Sequence, residues 1–485
     1  MKRLITLLFA TAIVFGCKES AKTDGTEILL SDNSFNAVPM PSKLITGNPF
    51  PTDSTTINNW VANSMTVANL ETNTDIINHG WAIWQSLTEP TDQINNGQAM
   101  RRFETWYTPN DIIAAYNLKE VHPKAKLHHV QRSTGILDKF NQLHGQPEAD
   151  AGPEDAGVIG FVKYDPSAAQ HIYTNGLFFA SVLKAMLQDN AIANIPDFPN
   201  SGVVLKPVFT ALGPKTIDPK TGMHTMPVWP GDGGNPNRPF GPKQWNNHVS
   251  IDLDGETNTA ERIYSIKDFI SFKLDSAQAA SRGVKVGTMA VLQGMHVTTR
   301  ETKRWTWQSF WWSENNNTPE SPSSTRIAAL RPSVILDRAS DHYAMTIGYN
   351  MVQKAQPYNG GTGANNVSLY AYNPYLEAEF DTTTFDSGNA ALREYYSEGS
   401  QKVGDTLNQY GMQTNCMSCH SQARFIPKLY DSIGHLYLTD QYVPLDADYF
   451  KNTVKLDFTW SIQGNLIDDA GNRLKLPAKG SDKNK

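Results

Sequence analysis

The apolar positions change period along this chain, and the change predicts a mixed fold. From Ile76 to Leu87 (IINHGWAIWQSL) they recur every three to four residues, the spacing of a helix with one buried face. Pro109-Asn110-Asp111 supplies a helix start for the apolar run after it, and Asp165-Pro166-Ser167 opens a helix expected from Ala168 to Asp189. Strand patterns occupy Val158 to Tyr164 (VIGFVKY), Val203 to Phe209 (VVLKPVF), Met226 to Trp229 and His248 to Ile251. Two more, Val284 to Val297 (VKVGTMAVLQGMHV) and Arg304 to Trp312 (RWTWQSFWW), are expected on one sheet. Residues 120–155 and 313–326 are polar and read as loops, and Gly and Pro punctuate residues 200–250. Near the C-terminus, helices are expected over Ala390 to Tyr410 and Ser421 to Tyr430, then a strand over Val454 to Ile462 (VKLDFTWSI). That late strand suggests a chain returning to its β-rich body.

Composition narrows the classes. The net charge is −6 and 19% of residues are charged, so no nucleic-acid partner is expected. The 11 Trp, 18 Tyr and 20 Phe, with frequent Asn, Thr, Gly and Pro, suit an exported, loop-rich protein with substantial β structure. No HExxH, nucleophile elbow, P-loop or dinucleotide fingerprint occurs, which removes several hydrolytic and nucleotide-using chemistries.

Residues 1–17 read as an export signal. Lys2 and Arg3 give a positive start, and Leu4 to Phe15 is apolar but too short to span a bilayer. The stretch ends Val14-Phe15-Gly16-Cys17; a small residue before a cysteine is the pattern of a bacterial lipoprotein signal, with Cys17 lipidated. Phe15 is bulkier than the usual occupant, and an ordinary signal peptide is the competing reading. Several acyl chains anchor stably where one does not. No later segment has about 18 consecutive apolar residues. Lys18-Glu19 favours the outer membrane over the inner one. The expected location is the cell envelope, lipid-anchored at the outer membrane and facing the periplasm or the exterior.

Only three cysteines occur in 485 residues, and two lie in Cys416-Met417-Ser418-Cys419-His420. This C-x-x-C-H run is the attachment site for a c-type haem: two thiols reach the two vinyl groups, and His420 falls beneath the iron as its proximal ligand. A thioredoxin-like site would want a strand leading in, but Gly411 to Asn415 is polar and loop-like. A zinc site would need further ligands. One covalent haem c is therefore the expected cofactor, and its attachment outside the cytoplasm agrees with the export signal.

The ligand on the other face of the iron decides the chemistry. No methionine follows Met417, and the only downstream histidine is His435. His435 would give a bis-histidine haem of lowered potential. Among upstream residues, Met295, His296 and Met412 are candidates; strand alternation sends Met295 and His296 to opposite faces, so both cannot serve. The third option is an open or water-filled position.

Several short motifs accompany the haem run: His79-Gly80-Trp81-Ala82-Ile83-Trp84, Phe103-Glu104-Thr105-Trp106, Gly294-Met295-His296-Val297 with Trp305-Thr306-Trp307-Gln308-Ser309-Phe310, and Asp457-Phe458-Thr459-Trp460-Ser461. With Cys416 to His420 they span residues 79–462, and the chain resembles a family of large, exported, monohaem cytochrome c family proteins. The resemblance implies haem binding and export and names no substrate. Members tend to carry a phenylalanine-glutamate pair after the Trp-x-Trp strand; Phe310-Trp311-Trp312 departs from that, so no glutamate role is carried over there. His79, Glu104, Arg102 and Asp457 sit in these motifs as pocket candidates, although structural pairing of buried polar groups is favoured. For the Trp cluster 305–312, core packing is favoured over a substrate platform or haem-edge packing. His128-His129 reads as solvated surface.

The fold expected is α+β: a large β-rich body with peripheral helices and a mostly helical haem segment near the C-terminus. The expected divisions are a signal peptide (1–17), a flexible tether (18–50), a mixed α/β body (51–385), a haem segment embedded in the body (386–470) and a disordered tail (471–485). The function expected is extracytoplasmic electron transfer with a redox partner protein. The alternative is a haem-dependent oxidase or peroxidase acting on a small organic molecule, and a gas sensor ranks below both.

Overall fold

In the computed structural model, residues 34–63, 73–116, 130–131, 158–233, 240–255, 261–349, 371–378, 420–427 and 445–474 are described. The elements that matter here are, in chain order, α1 (Ser54–Ala62), α2 (Thr74–Thr88), β1 (Val158–Gly160), β2 (Lys163–Tyr164), α3 (Pro166–Thr174), α4 (Ala180–Ala185), β3 (Ile192–Asn194) and β4 (Val203–Ala211). They continue with β5 (Ser271–Lys273), β6 (Met289–Thr299), β7 (Thr306–Trp312), β8 (Tyr343–Ile347), β9 (Arg424–Phe425) and β10 (Thr453–Lys455). Helices and several sheets coexist, so the fold is α+β.

The two aromatic strands do share a sheet. β6 and β7 run antiparallel, with His296 opposite Ser309 and Thr298 opposite Trp307. The strand order is β8-β7-β6-β4-β1, with β5 also on β6 and β2 also on β4. Every pair in it is antiparallel. Cross-strand partners point to the same face. One face therefore carries Met295, Val297, Phe310 and Met345 in the main core. The other carries Lys206, His296, Ser309, Trp307 and Trp311.

Helix α2 covers the first face. Asn73 caps it by accepting from the N–H groups of Asp75 and Ile76. Its Trp84 ring stacks on Phe310 at 4.4 Å, and the indole N–H groups of Trp81 and Trp84 donate to the carbonyls of Ile327 and Ser340. Gly80 lets the helix approach: a Cβ there would stand 2.7 Å from Met345 Sδ. That close approach explains the glycine between His79 and Trp81 in the first motif.

Four expectations are corrected. The helix expected from Ala168 to Asp189 breaks after Thr174; Gly176 turns the chain at φ +61°, and α4 ends at Ala185. The stretch from Ser421, expected to be helical, forms β9 at Arg424–Phe425. The strand expected to run to Ile462 ends at Lys455, and Trp460–Gln463 is helical. Residues 36–50 are not tether-like, because Met40, Leu44 and Phe50 are buried in the main core. The helix expected over 390–410, the signal, Cys17 and most of the loop over 120–155 lie outside the described residues.

The C-terminal stretch does return to the body. β9 pairs antiparallel with β10, and β10 pairs parallel with β3, which follows α4. This small sheet and helices α3 and α4 enclose a second core that includes Trp307, Phe425, Phe458 and Trp460.

Candidate functional site

His420 is the one residue of the C-x-x-C-H run among the described residues; Cys416, Cys419, Met412 and His435 lie outside them, as do His128 and His129. Its imidazole sits against the sheet, 4.6 Å from the Trp307 ring between centroids. Ala423 N–H donates to the His420 carbonyl, and Leu456 N–H donates to the Ala423 carbonyl, tying the His420 segment to the end of β10.

The chain then turns sharply. Asp457 and Phe458 adopt φ of +44° and +67°, a left-handed conformation that costs a phenylalanine about 1–3 kcal/mol. The strain is held by the Asp457 carboxylate. It accepts from Arg300 Nε at 2.8 Å, from Trp305 Nε1 at 3.3 Å and from the Phe198 N–H at 3.1 Å. The turn delivers the Phe458 carbonyl to His420 Nδ1 at 2.8 Å.

That contact fixes the tautomer. A carbonyl can only accept, so Nδ1 carries the proton and Nε2 carries the lone pair whenever the ring is neutral. Burial pulls the imidazole down to about 4; the Phe458 bond opposes this, while the charges of His296 and Lys206 add to it. A half-buried, neutral histidine with one ring nitrogen tied to a backbone carbonyl is an arrangement that suits a metal-ligating imidazole. The residues present therefore fit a haem whose iron is held by His420 Nε2.

Asp457→Asn is expected to remove the charge that Arg300 faces. Arg300 keeps Asp197 at 3.5 Å, but its side chain is 7% exposed, and weakening a buried charged bond costs about 1–3 kcal/mol. The outcome is read as a shift of the urea midpoint without a change of slope.

The distal candidates separate as alternation requires. Met295 is wholly buried in the main core, on the face away from Trp307 and His420. His296 shares the His420 face. Its Nε2 lies 2.6 Å from Glu377 Oε1 and its Nδ1 2.9 Å from Ser309 Oγ, so each ring nitrogen already has a partner. Ser309 also receives Asn373 Nδ2 at 2.9 Å. Gly294 makes room for this: a Cβ would stand 2.7 Å from Asn373 Nδ2. Within this motif, then, Gly294 admits Asn373, Met295 fills the core and His296 holds Glu377.

The weaker candidates divide similarly. His79 is fully buried, between Tyr349 OH at 2.6 Å and Glu301 Oε1 at 3.2 Å. Arg102 donates to the Ser86 and Pro39 carbonyls and to Glu89. Glu104 Oε2 accepts the Arg101 N–H at 2.7 Å. Each of these three has partners within the fold, and of the four only Asp457 reaches the His420 site. Trp305, Trp307, Trp311 and Trp312 are all buried. Sequence reasoning did not single out Arg300, Lys206, Glu377 or Asn373. The available signal for Lys206 was a lone cation inside the apolar strand VVLKPVF, and for Asn373 an Asn-Pro helix start. Burial and the Glu377 charge compete at Lys206; burial wins and lowers its ammonium to about 8.

Among the described residues, no helix is long and apolar enough to cross a membrane. No protein-family model, no curated protein and no solved structure matches this chain.

Proposed function

We propose that this chain is an exported, lipid-anchored monohaem c-type cytochrome that transfers electrons outside the cytoplasm to or from a redox partner protein. Cys416 and Cys419 hold the haem, His420 Nε2 ligates its iron, and Cys17 carries the lipid at the outer membrane. The bound haem supplies a one-electron couple. The observation that carries the reading is the His420 Nδ1 contact with Phe458, which orients a neutral imidazole directly after a Cys-x-x-Cys pair. Trp307 and the Asp457 turn fix the ring from two sides. The pairing of β10 with β3 supports a haem segment embedded in the body.

A second reading, an oxidase or peroxidase acting on a small organic molecule, is favoured by one observation. Met295 faces away, and both nitrogens of His296 are engaged, so neither presents a free donor atom on the His420 face. The visible spectrum of the purified, reduced protein tests both. A covalent c-type haem spectrum is expected, and its absence sinks the proposal. A spectrum unchanged by carbon monoxide means a strong sixth ligand and electron transfer. Ready binding of carbon monoxide puts the enzyme reading first.

A further inference from the structure

Lys206 is a cation set inside the apolar run Val203 to Phe209 of β4, half-buried, with Leu205 and Pro207 buried on either side of it. Register fixes its neighbours. It lies opposite His296, which lies opposite Ser309. Two residues back along β4, Val204 lies opposite Thr298, which lies opposite Trp307. Lys206 therefore stands about 7 Å along the sheet and about 10 Å across it from the Trp307 backbone, on the face where His420 packs. Its charge bears on the His420 imidazole, as does that of His296.

Glu377 is the carboxylate whose charge reaches Lys206, and both of its oxygens are engaged by other groups. Oε1 lies 2.6 Å from His296 Nε2, and Oε2 accepts the Asn373 N–H at 2.5 Å. Asn373 Nδ2 donates to Ser309 Oγ at 2.9 Å, and Ser309 Oγ meets His296 Nδ1 at 2.9 Å, so the four residues close a ring. The ring pins Glu377 to His296. At Lys206 burial outweighs the pull of Glu377, so that charge does not offset the cost of enclosing an ammonium. A further carboxylate would.

We propose that Lys206 holds a haem propionate, its ammonium donating to the carboxylate, while the ring of His296, Ser309 and Asn373 keeps Glu377 from taking that place. The inference rests on the haem reading. A c-type haem carries two propionates, on the side of the macrocycle remote from the vinyl groups that Cys416 and Cys419 would capture. The attachment motif itself does not meet them. A cation on the His420 face, two strands from Trp307, is placed to do so. An ammonium against a carboxylate is also the pairing that makes both charges tolerable away from water.

The test uses the full-length, haem-loaded protein, after the pyridine haemochrome spectrum has counted its haem. No covalent haem in the wild type means that the haem reading has failed, and this inference goes with it. With haem in place, variants are compared with the wild type by resonance Raman and by redox titration. Lys206→Met should shift the propionate-bending band and lower the midpoint potential, because a positive charge that favours the ferrous state is gone. Lys206→Gln, which keeps a donor but no charge, should lower the potential as far and shift the band less. Glu377→Gln alters the local charge in the opposite sense. It should raise the potential and leave the band where it is. All three should keep one haem per chain. A band that neither Lys206 variant moves overturns the inference, since a lysine near the haem but off the propionate would change the potential alone. A Lys206→Met protein that newly binds carbon monoxide overturns it too, because Lys206 would then be the sixth ligand of the iron.

Discussion

A chain carrying Cys416→Ser and Cys419→Ser is expected to fold yet hold no covalent haem, falling from one haem per chain to none. The two thiolates are the only cysteine sulfurs beyond Cys17, so no other residue can take over the attachment. The measurement is the pyridine haemochrome spectrum of the denatured protein, which counts haem that survives unfolding. His420→Ala makes the complementary case. It leaves both thiols but removes Nε2, so the haem should remain attached while the spectrum moves to that of iron lacking its proximal nitrogen. Added imidazole should restore it. His420→Ala also frees the Phe458 carbonyl, a cost of about 0.5–1.5 kcal/mol to the fold. A spectral loss far larger than the stability loss separates a ligand from a core histidine. If stability falls but the spectrum does not change, His420 is structural and the haem reading fails with it.

How far this site was legible depends on the range of the interactions that make it. The C-x-x-C-H run is local, and its meaning is carried by spacing alone. The period of three to four over 76–87 is local too, and α2 matches it closely because one face meets the sheet along its whole length. The pairing of the two aromatic strands followed from alternation, since a strand that slips by one residue would turn Trp307 and His296 to the wrong face. The helix expected over 168–189 failed for a reason that periodicity does not see. Asn175-Gly176 offered a stop, and tertiary packing of Leu177 to Phe179 in the second core then outweighed helical propensity. Arg300 and Asp457 are 157 residues apart and meet only because the chain after the haem motif comes back to β3. Nothing in the sequence near either residue announces that contact. The sequence could single out His420, therefore, but not the turn that orients its ring.

The largest stability effect should come from the opposite face of the sheet. Glu301 and His79 are both fully buried, with Nε2 to Oε1 at 3.2 Å. Glu301 also accepts the Thr52 N–H at 2.7 Å and the Thr299 hydroxyl. Tyr349 sits on the other ring nitrogen of His79 and takes a bond from Gln308. Burial would raise the Glu301 carboxyl, but the His79 charge and these hydrogen bonds outweigh it and hold it below its ordinary value. An ionised Glu301 can only accept, so His79 Nε2 must carry a proton. Glu301→Ala leaves that proton and the Thr52 N–H facing a void, while the Thr299 hydroxyl keeps only Thr306, a loss expected at about 3–5 kcal/mol. The pH dependence follows from the depressed value. The unfolded carboxyl titrates near 4.3, so the stabilisation is complete above that pH and is lost as pH falls through the lower folded value. Urea unfolding from pH 7 down to pH 3 should show the wild type losing stability below about pH 4.3. Glu301→Gln, which cannot ionise, should start lower and fall less steeply. Parallel curves for the two proteins would mean that Glu301 titrates in the fold as it does in the unfolded chain, and a wild type gaining on Glu301→Gln as pH falls from 7 would mean that Glu301 is already protonated in the fold. Because Thr52 belongs to the N-terminal stretch and Thr299 ends β6, the carboxylate joins the start of the fold to the strand that carries His296. Its loss should loosen that strand's end before it reaches His420, whose anchor at Arg300 is the very next residue along the chain.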